Sequence, residues 1–138
     1  MHKFGLWIAF ASLFISNPAL AQATPDSLAD SAFTALKNNG SAGFLDDMVS
    51  NAPLLETKMV EKTTIINAMD QLLSYYGKVE SWEMIHEKNV SSRFIERAYL
   101  IFLEKYAIQV TMQFYRTGDG WTTTKFYFDD QIQKFLPE

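Results

Sequence analysis

Residues 107–129 read AIQVTMQFYRTGDGWTTTKFYFD, and this stretch decides the fold. Ile108, Val110, Met112 and Phe114 alternate with Gln109, Thr111, Gln113 and Tyr115. A period of two puts the first set on one face of a strand, buried, and the second on a face that is mostly wet. Thr117-Gly118-Asp119-Gly120 follows, with glycines and an Asp-Gly pair that supply the positive φ angles of a tight reversal. The chain then returns over Trp121 to Asp129, which places Phe126 and Phe128 on one face and Trp121, Lys125 and Tyr127 on the other.

Upstream of this hairpin the same rhythm predicts two more strands, about Val79 to Asn89, kinked, and about Phe94 to Leu103. In the latter, Ala98, Leu100 and Phe102 mark the expected core face, which leaves Arg97 and Tyr99 toward solvent. Before Gly77 the period is 3.6. Pro25 and Asp26 open a helix carrying Leu28, Ala32, Ala35 and Leu36, stopped at Asn38-Asn39-Gly40. Ser41 caps a short second helix with Phe44, Leu45, Met48 and Val49 inward, ended by Asn51-Ala52-Pro53. A third helix runs from about Glu56 to Tyr76 with Met59, Thr63, Ile66, Met69, Leu73 and Tyr76 on one stripe, flanked by Val60, and Gly77 caps it. Helices first and strands afterwards make an α+β domain. The N-terminal helices pack on a curved four-stranded antiparallel sheet that wraps around the third helix and leaves a cone-shaped cavity. Ile132, Phe135 and Leu136 then dock on the rim.

The chain has 138 residues, no cysteine, and 12 basic against 16 acidic residues, for a net charge of −4. That suits one domain, residues 22–138. An acidic balance with no basic tract argues against nucleic acid as the partner. The missing thiol removes thiolate nucleophiles, cysteine metal sites and redox exchange. Residues 1–21 have the three parts of a secretory signal peptide: Lys3, an apolar run from Phe4 to Ile15, and Ala19-Leu20-Ala21. The apolar run is too short to span a membrane, where about 20 residues are needed. The expected location is therefore periplasmic or secreted, with no membrane span after cleavage.

The order of elements, and the closing pattern of Phe114, Tyr115, Gly118, Gly120, Trp121, Phe126 and Phe128, resembles small exported proteins of the NTF2-like superfamily. A cystatin-like arrangement is the nearest rival. The resemblance implies the cone described above and a cavity that binds or transforms small molecules. The superfamily contains isomerases, dehydratases and modules without activity, so the chemistry stays open.

Candidate site residues are few. His86, on a strand with Trp82 and Met84, reads either as a solvent-facing residue or as a general base in the cavity. Asp129 reads as a strand terminus or as a carboxylate at the cavity mouth, as the isomerases imply. Arg97 and Tyr99 share a face and would hold an anionic group if that face turned inward, but an inward Arg97 needs a buried partner. Tyr76, Trp82, Tyr99, Trp121 and Tyr127 would line an apolar pocket or simply fill the core. No phosphate loop, dinucleotide fingerprint or zinc set is present in the sequence, so no cofactor and no metal are expected. The leading expectation is a non-catalytic module binding a small apolar ligand or a protein partner in or near the cavity. One alternative is an isomerase or dehydratase with His86 or Asp129 as base. The other is a homodimer joined through Tyr115, Trp121 and Tyr127 on the outer sheet face. Expression in an export-competent host should yield a chain beginning at Gln22, which intact-mass spectrometry would read; an unprocessed Met1 in the exported fraction would contradict the signal.

Overall fold

Thr24 sets the first helix. In the computed structural model, which describes residues 22–58 and 62–132, Ser27 N–H donates to the Thr24 hydroxyl at 3.1 Å, and Thr24 N–H donates to Ser27 Oγ at 2.8 Å. This reciprocal box, with Pro25 in the first turn, opens α1 (Pro25–Ser50). Gly40, at φ 72° and ψ −165°, breaks the helical path. The stop expected at Asn38-Asn39-Gly40 is therefore a kink within one long element. Ser41 is not the cap expected of it, because its hydroxyl is buried and has no hydrogen-bond partner among the described residues. Of the expected third helix, α2 (Pro53–Lys58) begins earlier than expected, at Pro53, and α3 (Lys62–Tyr76) ends as expected at Tyr76; residues 59–61 lie outside the described residues. Gly77, at φ 93°, ends α3 and donates its N–H to Leu73 O at 2.8 Å.

Four strands follow in a meander: β1 (Val79–Ser91), β2 (Phe94–Leu103), β3 (Ala107–Thr117) and β4 (Gly120–Asp129). They form one antiparallel sheet in the order β1-β2-β3-β4. Register shifts interrupt β1 between Val79 and Ser81, Met84 and His86, and Asn89 and Ser91. Such bulges bend a strand, which answers the expected kink and curvature. In β4, Lys125 pairs with Gln113 and Thr123 with Phe114, so Thr124 is an extra residue. This bulge reverses the alternation. Trp121 shares the inner face with Phe126 and packs against the core, where an unbroken strand would have put it outside.

The core lies between α1 and the inner sheet face. Phe33 and Phe44 of α1 are fully buried, as are Ile101, Ile108, Val110, Met112 and Phe114 of the sheet. Phe33 stands 5.1 Å from Tyr99, 5.8 Å from Trp82 and 6.3 Å from Phe44, centroid to centroid. Phe44 meets Phe126 edge-on at 5.5 Å. These rings occupy the space expected to be a cavity.

Two expectations are thereby corrected. The central helix is α1; α3 buries only Met69 fully and leans mainly on α1. Ala29 and Ala32 give α1 a small-residue face beside its phenylalanines, which lets it approach the sheet closely. In β2 the core face carries Tyr99, Ile101 and Leu103, so Arg97 and Tyr99 point inward rather than to solvent. The signal segment, Met59, Val60, Phe135 and Leu136 lie outside the described residues. Phe33→Ala should cost about 3–5 kcal/mol in chemical denaturation, the range for emptying a buried aromatic site; a loss below about 1 kcal/mol would mean that the ring is not central to the core.

Candidate functional site

Asp26, Asp30, Phe33 and Lys37 recur at spacings of four, three and four, one stripe of the first half of α1. Each meets β1 or β2. Arg97 donates from Nε to Glu87 Oε2 and from NH1 to Asp26 Oδ1, both at 2.6 Å, and from NH1 to the Tyr99 hydroxyl at 3.3 Å. Trp82 Nε1 donates to Asp30 Oδ1 at 3.0 Å, and Lys37 Nζ to Glu80 O at 3.1 Å. The Arg97 side chain is only 12% exposed, and the partner it needs is supplied twice. Burial disfavours its charge, but the hydrogen bonds with Tyr99, Asp26 and Glu87 outweigh that and raise its pKa. With two carboxylates on one guanidinium, the cluster is a tie between α1 and the sheet and not a receptor for an anion.

The outer sheet face is built differently. Ala98 pairs with His86 of β1 and Thr111 of β3, and Thr111 pairs with Tyr127 of β4. The next row runs Glu83, Leu100, Gln109 and Asp129. Ala98, Thr111 and Gln109 are buried beneath their longer neighbours, so the middle of this face is low. Gln109 Nε2 donates to Thr111 Oγ1 at 3.2 Å, while its Oε1 is buried without a partner.

Where α2 meets β4, two concavities of about 530 and 500 Å³ adjoin and share Leu54, Tyr115 and Thr124. Phe94 and Phe126 continue the first, and Trp121 and Asp119 the second. Thr122 Oγ1 donates to Asn51 O at 3.2 Å and fixes the end of α1 to β4 at the floor of the groove.

The residues singled out in the sequence do not converge. Trp82, Arg97 and Tyr99 meet around α1. Trp121 lines the groove, and Tyr127 is on the outer face. His86 is exposed on the outer face. Asp129 is exposed at the end of β4, where its Oδ1 accepts Gln131 N–H at 2.8 Å, so it caps a strand terminus. Tyr76 is at the far rim, donating its hydroxyl to Asp130 at 3.0 Å. Tyr115, Trp121 and Tyr127 therefore form no single patch. Sequence reasoning missed Asp26, Asp30 and Glu87 as partners of β1 and β2, although the helical spacing of the two aspartates was visible. It also missed Leu54, an exposed apolar residue whose only signal was its place beside Pro53.

No family model and no curated protein matches this chain. Among solved structures it is similar to one from Thiobacillus denitrificans named as a calcium/calmodulin-dependent protein kinase type II association domain. The two share 13% identity with a TM-score of 0.52, over 80% of this chain and 97% of that one. At that identity the likeness concerns the fold: an NTF2-like α+β architecture of N-terminal helices packed on a four-stranded antiparallel sheet.

The Tyr99 phenol is held above the ordinary tyrosine range, chiefly by burial and partly opposed by Arg97. Tyr76 shifts the same way through its bond to Asp130. The folded chain thus keeps protons that the unfolded chain releases near about pH 10. Stability from this source is whole below that pH and is lost as pH rises through the folded pKa. Denaturant unfolding between about pH 9 and 11 should show that decline, shallower in Tyr99→Phe; an identical slope in the variant would refute the assignment.

Proposed function

We propose that this protein is an exported, non-catalytic association module that pairs with a second copy through the outer face of its sheet. The observation that carries this reading is the filled interior. Phe33, Phe44, Phe114 and Met112 occupy the cone at zero exposure, so recognition is left to the surface. The two candidate bases lie outside: His86 on the outer face and Asp129 at a strand end. A base in a closed cavity is what the isomerase reading needs, and these positions do not provide it.

Several features support the outer face as the contact. Its middle is low, floored by Ala98 and Thr111, so a second sheet can approach closely. Tyr127, 41% exposed, stands beside that floor as an anchor. Strands of ten or more residues and four strands across give a face of about 33 by 19 Å. That is near the roughly 800 Å² per partner of a stable interface once side-chain relief is added. A two-fold pair would bring the same rows together with partners exchanged. The similar structure from Thiobacillus denitrificans is named for association, a role in keeping with this reading. The export part rests on the charged start, apolar run and Ala19-Leu20-Ala21 exit of residues 1–21.

Sedimentation of the protein should give a dimer at micromolar concentration. Tyr127→Glu should raise the dimer dissociation constant at least about tenfold without changing the circular dichroism spectrum. A wild-type monomer at all concentrations, or a dimer indifferent to Tyr127→Glu, would end this proposal.

A further inference from the structure

The groove between α2 and the sheet adjoins the outer face through Tyr115 and Lys125 and carries its own signal. Arg93 stands over the Tyr115 ring at 5.1 Å, Arg116 over Trp121 at 5.9 Å, and Lys125 over Tyr127 at 5.9 Å. None of these three cations is in an ion pair among the described residues. Arg93 Nε donates to Arg116 O at 3.1 Å, which holds the two arginines together at one end of the hairpin. Against them stand Asp119, at the groove, and Glu96, whose Oε2 already accepts from Gln113 at 2.8 Å. In a chain with four more acidic than basic residues, this end has the opposite sign.

We propose that this groove receives an extended segment of a partner protein in which acidic residues flank apolar ones. The apolar side chains enter against Leu54 and Tyr115, which are 51% and 37% exposed and line both concavities. Volumes of about 530 and 500 Å³ lie within the range of sites that enclose a ligand's apolar groups. The acidic groups face Arg93, Arg116 and Lys125, which no carboxylate among the described residues pairs with. The ring contacts hold the two guanidinium groups near the groove before binding, so less side-chain freedom is lost on contact. An extended segment is favoured because the two concavities run on from one another along β4, sharing Leu54, Tyr115 and Thr124, so that successive side chains of one stretch of chain can enter both. A single-stranded nucleic acid would instead need open aromatic faces for stacking, and Tyr115 and Trp121 each have one face under an arginine.

The test is selection of a random dodecapeptide display library on the immobilised protein at low salt. The expected enrichment is of sequences with Asp or Glu beside Leu, Ile or Phe. The synthesised winner should bind more weakly as salt rises. Its dissociation constant should increase at least about tenfold both in Leu54→Asp and in the pair Arg93→Glu with Arg116→Glu, while His86→Ala leaves it unchanged. Leu54, Arg93 and Arg116 are exposed, so circular dichroism should match the wild type; should one variant not fold, the other decides. No enrichment, enrichment of basic sequences, indifference to the variants, or tighter binding of polyuridylate than of the winner would each overturn the proposal.

Discussion

The ring of Phe33 sits where four parts of the chain have to agree. It touches Phe44 across the kink of α1, Trp82 on β1 and Tyr99 on β2. Close packing at such a point leaves little freedom for the angle between the two halves of the helix or for the curvature of the sheet around them. Gly40 lets α1 turn so that both phenylalanines face the same interior, and the bulges of β1 let the sheet bend toward them. The architecture usually drawn as a cone around an opening is here a cone around side chains.

The polar stripe beside Phe33 gives the same contact its direction. Hydrophobic packing alone would allow α1 to slide or rotate over a sheet face rich in similar apolar groups. Asp26 on Arg97, Asp30 on the Trp82 indole and Lys37 on the Glu80 carbonyl fix the register at three heights along the helix. Two of these bonds are partly exposed and add little stability. The Arg97 fork adds more, because the guanidinium is nearly covered and would be left uncompensated if its partners were removed.

Much of the architecture was readable from patterning, because it depends on local periods and turn chemistry. The change of rhythm at Gly77, the reversal at Gly118-Asp119-Gly120 and the meander of four strands are all of that kind. What escaped was decided by contacts between distant residues. The inner face of β2 could not be told from its outer face, since Ile95, Ile101 and Leu103 compete with Ala98, Leu100 and Phe102 as an apolar row. It is settled by Asp26, which is 71 residues away from Arg97. One bulged residue, Thr124, moved Trp121 to the other face, and no composition signal marks such an insertion among three consecutive threonines. The central role of α1 was hidden by its glycine and alanine content, which lowers apparent amphipathicity although small residues permit close approach. The groove arises where α2 crosses β4, so no one segment contains it.

The bulge at Thr124 has a further consequence. A flat outermost strand with an unbroken row of free amides and carbonyls is a template on which chain after chain can add, ending in fibrils. β4 offers no such template: its pleat is interrupted at Thr124, and α2 lies along part of it. Endless addition of strands at this edge is thereby discouraged.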